Sequence, residues 1–354
     1  VATAPSVIVT DANGNPKQAV SVTFAVDSGG GIVDPISAVT TNASGVATVT
    51  SWTLGATAGA NSLTATSAGL VGSPVTFTAT GTPGLASEVI LTMSPTGTLA
   101  SGATRTLTAT LKDANGNTLS TSGTTVTFAK SGSGAGTVSG LSTATTTSGV
   151  ATKVVTGTLA GDLDVTATIA GPIASSALAM TIVPGTVSQV ALTGATTDLA
   201  SGGSRTLTAT LQDAAGNTVP TTGTTVTYAQ SAGAGTVTGL GTANTTNGVA
   251  TLDATGGVVG SVTVRSSITS PSAVNSNTLT FGVVAGGATQ VSLSAATSDL
   301  MAGVARTLTA TLKDAAGNTV PTTGTTVTFA KSSGAGTVTG LGTAASVTAP
   351  AVTN

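Results

Sequence analysis

A block of sequence near the middle of the chain recurs almost unchanged about one hundred residues later. Residues 205–243 match residues 306–344 with four changes in 39 positions. The same block begins again at Arg105, and a more diverged version opens the chain. The aspartates that mark the four versions are Asp11, Asp113, Asp213 and Asp314, at intervals of 102, 100 and 101 residues. Repetition at this period predicts a tandem array of domains, and 354 residues suit three or four of them.

We divide the chain at the repeat junctions into copy 1 (1–84), copy 2 (85–185), copy 3 (186–286) and copy 4 (287–354). The junctions are only a few residues long, so neighbouring domains should abut. Aligned on the aspartates, copy 1 lacks the opening strand and copy 4 lacks the closing strands. The simplest interpretation is a fragment of a longer protein. The alternative is that the incomplete ends complete each other between subunits by strand donation.

Within each copy the apolar residues alternate with polar ones. In copy 2, Leu107, Ala109 and Leu111 point to one side of a predicted strand, and the intervening threonines point to the other. Further strands of copy 2 are predicted at 125–128, 149–152, 163–169 and 178–182, and the opening strand of copy 3 is predicted at 187–192. One aromatic residue per copy is expected in the core: Phe24, Phe128, Tyr228 and Phe329. No apolar stripe has the helical period, so we predict an all-β fold of tandem immunoglobulin-like β-sandwich domains arranged as an elongated rod.

The composition excludes most catalytic chemistry. The chain has no Cys and no His, so it cannot form a Ser-His-Asp triad, a cysteine nucleophile or an ordinary zinc site. Charged residues make up 6% of the chain and the formal net charge is -2, with no basic patch for nucleic acid. No apolar run reaches the roughly 20 residues of a membrane helix. The sequence therefore predicts no enzyme, no nucleic-acid partner and no membrane span in this segment.

The sequence Asp-Ala-Asn-Gly-Asn of copies 1 and 2 clusters oxygen ligands and suggests a weak calcium site. Copies 3 and 4 replace the middle Asn with Ala215 and Ala316, and further acidic ligands are missing. The favoured interpretation is a β-turn in which Asp caps its own backbone and Gly-Asn takes positive φ. No other cofactor is expected. The calcium candidates are Asp11, Asn13, Asn15, Asp113, Asn115 and Asn117.

Other recurring polar residues have structural interpretations. The arginines at the start of the second strand are expected on the surface, where they keep a strand edge soluble. Asp162 and Asp164 share a strand face without aromatic or cationic neighbours, which favours solvation over acid–base chemistry. Asp27 and Asp34 flank a glycine-rich loop and have the same interpretation. Outward threonine rows favour hydration over ice binding. The three arginines are Arg105, Arg205 and Arg306.

Three segments of copy 1 together resemble the bacterial immunoglobulin-like repeats of the invasin and intimin type. They are Asp-Ala-Asn-Gly-Asn-Pro at 11–16, Val-Ser-Val-Thr-Phe at 20–24 and Thr-Asn-Ala-Ser-Gly-Val-Ala-Thr at 41–48. The resemblance implies β-sandwich domains repeated as a spacer that holds an adhesive tip away from a cell envelope. The barrel anchor and cysteine-stapled tip of invasins have no counterpart here, so receptor binding is not implied.

We expect a non-catalytic stalk of a bacterial cell-surface or extracellular adhesin or filament. Its partners would be neighbouring domains of the same chain, with self-association into a filament as a further hypothesis. The alternative is an immunoglobulin-like virion component, such as a phage tail, fibre or capsid decoration. A glycan-binding module is the third hypothesis, and it lacks the aromatic platform that sugar binding needs.

The rod predicts a characteristic scattering profile. Strands of about eight residues with loops at both ends give roughly 40 Å per domain, so four domains should reach about 160 Å. Small-angle X-ray scattering should give a maximum dimension near this value. A compact globule would contradict the prediction.

Overall fold

The computed structural model describes residues 1–348 and the backbone of Ala351–Thr353. The predicted copy 4 therefore includes three positions, 349, 350 and 354, that lie outside the described residues. All regular elements of the described chain are β-strands, which confirms the all-β class. The chain divides into two compact units, Val1–Val183 and Pro184–Asn354. The division of the chain into four domains remains a prediction.

The first unit contains copies 1 and 2. Copy 1 has strands Ser6–Ile8, Ser21–Ser28, Gly31–Asp34, Val39–Thr40, Val46–Thr48, Ser51–Leu54, Gly59–Thr66 and Val75–Gly81. Copy 2 has strands Glu88–Ser94, Leu99–Ala100, Thr104–Lys112, Thr125–Ser131, Val138–Ser139, Thr143–Thr145, Val150–Gly157, Gly161–Ile169, Ile173–Ala174 and Leu178–Val183.

The second unit contains copy 3 and the described part of copy 4. Copy 3 has strands Gln189–Thr193, Leu199–Ala200, Ser204–Gln212, Thr225–Ala232, Val237–Thr238, Thr242–Asn244, Val249–Gly256, Gly260–Ile268 and Val274–Val284. Copy 4 has strands Gln290–Ser294, Leu308–Lys313, Thr326–Thr328, Thr343–Ala345 and Ala351–Thr353.

Copy 2 is a sandwich of two sheets. The first sheet has the order Glu88–Ser94, Thr104–Lys112, Val150–Gly157 and Val138–Ser139, and in it Leu107 lies opposite Met93 and Lys153. The second sheet contains Leu178–Val183, Gly161–Ile169 and Thr125–Ser131 as its long strands. Copy 3 repeats both sheets, with Gln189–Thr193 and Ser204–Gln212 in place of the first two strands.

The cores lie between the sheets and follow the predicted alternation. Leu107, Ala109 and Leu111 are fully buried, and the threonines between them are partly exposed. The predicted aromatic residues are buried in all four copies. Tyr228 also donates its hydroxyl to the carbonyl of Ala250 at 2.8 Å, which satisfies the polar end of a buried ring.

The prediction that the recurring arginines lie on the surface is wrong for two of them. Arg105 and Arg205 are only 4% and 8% exposed. Arg105 donates to the carbonyls of Gly97 and Thr98 at 2.6 and 2.9 Å. Arg205 donates to the carbonyl of Thr197 at 2.6 Å, and its guanidinium lies 4.3 Å from the ring centre of Phe281. Arg306 is half-buried. In copies 2 and 3 these arginines bind the loop that joins the first two strands, at residues 97–98 and at 197.

Replacement of Arg205 by Ala should destabilise copy 3 by about 2–4 kcal/mol, because charge-assisted hydrogen bonds and packing on an aromatic ring are lost. The unfolding midpoint in urea measures this change. Arg265→Ala is the matched control, since Arg265 is exposed in the same copy. Equal midpoints for the two variants would contradict the buried role.

Candidate functional site

The most extensively bonded polar group in copy 2 is the carboxylate of the Asp-Ala-Asn-Gly-Asn turn. Asp113 Oδ1 accepts the backbone N–H groups of Asn115 and Asn117, both at 2.9 Å. Asp113 Oδ2 accepts the backbone N–H of Gly84 at 2.8 Å and the side-chain amide of Asn117 at 2.9 Å. Only 4% of the residue is exposed. One carboxylate therefore joins the turn to the segment that connects copies 1 and 2.

The same arrangement recurs in the second unit. Asp213 Oδ2 accepts the backbone N–H of Gly185 at 2.8 Å, and Asp314 Oδ2 accepts that of Gly286 at 3.0 Å. In copy 1, Asp11 caps the turn through Asn13 and Asn15. The predicted cap is thus observed in all four copies. The positive φ is found at the glycine, 81° at Gly116, and the following Asn does not share it, so that part of the turn prediction is wrong.

The hydrogen bonds hold these carboxyl groups ionised. The side-chain amide of Asn117, followed by the N–H of Gly84, lowers the pKa of Asp113 to about 2. At Asp213 burial raises the pKa, but the hydrogen bonds from Asn217, Gly185 and Ala215 outweigh burial and lower the pKa to about 2. The pKa of Asp314 is lowered further by the same kinds of bond. An anion that accepts several N–H groups is stabilised over its neutral form.

The last Asn of the turn contacts the preceding copy. Asn117 Nδ2 donates to the carbonyl of Ala56 at 2.8 Å, and Asn117 Oδ1 accepts the N–H of Ala58 at 2.9 Å. In the second unit, Asn318 donates to the carbonyl of Gly257 at 2.9 Å and accepts the N–H of Val259 at 3.0 Å. Both amides bind backbone atoms of a loop in the copy before them. We call each Asp–Asn pair, with the loop it binds, a junction clamp.

Sequence reasoning did not find this role for the Asn. One signal was available, because the last Asn is present in all four copies while the middle Asn becomes Ala215 and Ala316. The amide of the last Asn also donates to the Asp of its own turn, so its retention alone does not separate this local role from the contact with the preceding copy. The partner loop lies about 60 residues away in sequence, at separations of 59 and 61, so its identity required the structure.

The calcium candidates are brought together in two turns, 11–15 and 113–117. The carboxylate oxygens of Asp11 and Asp113 already accept N–H groups, and the side chains of Asn13 and Asn115 are exposed. No group of three or more acidic, His or Cys residues suited to a metal occurs in the described part of the chain. Calcium binding remains a prediction, and this geometry favours the capped turn.

The other acidic residues weighed from sequence lie on the surface. Asp162 is exposed and accepts the hydroxyl of Thr181 at 2.8 Å, and Asp164 is half-buried two residues further along the same face. Asp27 accepts the hydroxyl of Ser62 at 2.7 Å. Among the described residues, no helix is long and apolar enough to cross a bilayer.

The comparisons with known proteins agree with the fold. Residues 86–185 match the family model for invasin, domain 3. The match lies within copy 2 and confirms the resemblance to invasin-type immunoglobulin-like repeats. Comparison with curated protein sequences gives no significant match.

Similar solved structures include bacterial adhesins. FdeC, an Escherichia coli adhesin, shares 24% identity over 77% of this chain and 89% of its own, with a TM-score of 0.45. InvD of Yersinia pseudotuberculosis shares 22% identity over 78% and 91%, with a TM-score of 0.42. Invasin, a bacterial integrin-binding protein, shares 20% identity over 81% of this chain and 57% of its own, with a TM-score of 0.34.

The capped turns predict a loss of stability in acid. Because the folded-state pKa values of Asp113 and Asp213 lie near 2 and the unfolded value is about 3.9, their contribution is complete above pH ~4 and is lost as the pH falls towards ~2. The unfolding midpoint in urea should fall across this window. The triple variant D113N/D213N/D314N should have a lower midpoint at pH 7 and a flatter profile below pH 4.

The matched control is D27N/D34N/D162N, which removes three exposed carboxylates and leaves the turns intact. This control should keep the wild-type profile. An unchanged profile in the turn variant would show that the carboxylates do not couple folding to pH.

Proposed function

We propose that the chain is a non-catalytic spacer segment of a bacterial surface adhesin. The match of copy 2 to an invasin domain and the absence of His and Cys support this assignment. A spacer must keep its two ends a fixed distance apart, so its junctions must resist bending. The function therefore depends on how consecutive copies are joined.

The junction clamp is the observation that carries the proposal. Between copies 1 and 2, the N–H of Gly84 and two backbone atoms of the loop at 56–58 are bound by one Asp–Asn pair. The Asp of the pair thus binds the connecting segment, and the Asn binds the preceding copy. The junction between copies 3 and 4 has the same contacts and adds a bond from Asn318 to Ser201 at 3.1 Å. Several hydrogen bonds spread across a junction oppose hinge motion there.

The cost of opening a clamp is high for its size. Asp113 and Asp314 are almost completely buried, and their oxygens accept N–H groups from both the turn and the linker. Hydrogen bonds to a charged group are stronger than those between neutral groups. Bending that pulled the linker away would leave a buried carboxylate short of a donor, so the clamp favours one arrangement of the two copies.

We place this spacer on the outside of a bacterial cell. Immunogold electron microscopy of the native source, with antibody against residues 186–286, tests that location. Label along threads or stalks on cells would support the adhesin assignment. Label confined to phage particles would overturn it and identify a virion component.

Replacement of Asn117 by Ala should loosen the junction between copies 1 and 2, because both bonds to the loop at 56–58 are lost. The chain has no Cys, so Ile36→Cys and Val154→Cys give two clean positions for spin labels, one in each copy. Both native side chains are exposed. Double electron–electron resonance should show a narrow distance distribution for the parent and a broader one for Asn117→Ala.

Asn115→Ala is the matched control, since Asn115 occupies the same turn with an exposed side chain. Its distance distribution should equal that of the parent. Circular dichroism of both variants checks that the copies remain folded. Equal widths for Asn117→Ala and Asn115→Ala would refute the clamp as a stiffening device.

A further inference from the structure

A short strand near the start of each complete copy runs parallel to the last strand of that copy. In copy 3, Leu199–Ala200 pairs with Val283–Val284, and the N–H of Ser201 donates to the carbonyl of Val284 at 2.8 Å. We call this arrangement the terminal pair. Copy 2 has an equivalent terminal pair, formed by Leu99–Ala100, Ile182–Val183 and the N–H of Ser101.

The direction of the strands decides how tension acts on the terminal pair. The chain enters copy 3 before Leu199 and leaves it after Val284, so opposite pulls on the two ends slide the parallel strands past each other. Sliding loads the hydrogen bonds between the strands together, whereas peeling two strands apart loads them one after another. Tension along the chain therefore loads the terminal pair of copy 3 in shear.

The junction clamp of copy 4 binds the terminal pair of copy 3 at its end. Asn318 Nδ2 donates to Ser201 Oγ at 3.1 Å, and Ser201 is the residue whose N–H bonds to Val284. Asp314 Oδ2 accepts the N–H of Gly286 at 3.0 Å, two residues after Val284. The clamp thus holds both strands of the terminal pair, one through the Asn and the other through the Asp.

The clamp and the terminal pair are closely packed. Asp314 and Asn318 are only 2% and 9% exposed. A side chain at Gly286 would bring its Cβ to 2.6 Å from the carbonyl oxygen of Ser201, which is closer than the two atoms can approach. Because water has little access to hydrogen bonds between buried groups, these bonds exchange with water only after the junction opens.

The clamp gives tension a second route into copy 3. Asn318 also bonds to backbone atoms of the loop at 257–259, which lies outside the terminal pair. A pull on the linker reaches Val284 directly along the chain. The same pull reaches the loop through Asp314, the fold of copy 4 and Asn318. The hydrogen bonds of the terminal pair then carry only part of the load.

We propose that copy 3 bears tension along the chain and that the junction clamp of copy 4 locks its terminal pair. This proposal rests on the spacer function proposed above, since a spacer between a cell and a bound surface is placed under tension. The lock is the contact of Asn318 with Ser201 and with the loop at 257–259. Loss of the lock leaves copy 3 folded and shortens the time for which it survives a load.

The test applies a constant force to copy 3 within the intact chain. The chain has no Cys, so Thr186→Cys and Ala288→Cys supply two attachment points, one on each side of copy 3. Both native side chains are exposed. Magnetic tweezers should record one extension step of roughly 300 Å, because about 100 residues extend by up to roughly 3.6 Å each. The waiting time before this step measures the unfolding rate under load.

Two variants weaken the lock to different degrees. Ser201→Ala removes the bond to Asn318 and keeps the N–H that binds Val284, so the waiting time should fall about threefold. Asn318→Ala also removes the bonds to the loop at 257–259, so the waiting time should fall about tenfold. Ser204→Ala is the matched control, since Ser204 is an exposed serine of the same copy, and it should keep the waiting time of the parent.

The two variants also separate the lock from the folding of copy 4. Asn318 belongs to the capped turn of copy 4, whereas Ser201 lies in copy 3, so Ser201→Ala tests the lock with that turn intact. Circular dichroism checks that each variant is folded. Equal waiting times for Ser201→Ala and Ser204→Ala would overturn the lock. The measurement uses the purified chain, so it is independent of the immunogold test: label confined to phage particles would overturn the bacterial spacer without changing any waiting time.

Discussion

The buried carboxylate of the capped turn is the group that binds each linker to the copy that follows it. An ion removed from water is tolerated only where donors replace its hydration, and each turn supplies N–H groups from its own backbone and from the terminal Asn. The remaining donor comes from the linker glycine. In copies 2, 3 and 4 the carboxylate therefore has all of its donors only when the linker is in place, which makes the linker part of the fold of the copy that follows it.

The cores could be predicted from the sequence to a considerable extent. A period of two over residues 106–111 places Leu107, Ala109 and Leu111 on one face, and the structure buries all three. The same alternation places Arg105 in phase with them. We expected a surface residue that keeps a strand edge soluble, but the loop at 97–98 offers two carbonyls that bind the guanidinium. Those acceptors are unremarkable Gly and Thr residues whose position only the folded sandwich reveals.

The candidate site, like the cores, could be predicted from the sequence only in part. Asp followed by Gly-Asn predicts a capped turn from local chemistry alone, and the hydrogen bonds of Asp113 and Asp213 are those of such a turn. The contact of Asn117 with the loop at 56–58 depends on how one copy meets the next, and no local pattern encodes it. Comparison of the copies shows that the last Asn is retained and the middle one is not, but the bond from the last Asn to its own turn Asp accounts for that equally well.

In its partner loop the clamp amide binds only backbone atoms, those of Ala56 and Ala58 between copies 1 and 2 and those of Gly257 and Val259 between copies 3 and 4. A main-chain carbonyl and N–H are the same in every residue except proline, so side chains in that loop can change while the joint is preserved. Each half of the joint is carried by a repeat. A gene that gained or lost one repeat would then encode a shorter or longer protein with its remaining joints intact, and length could vary between strains in whole-repeat steps.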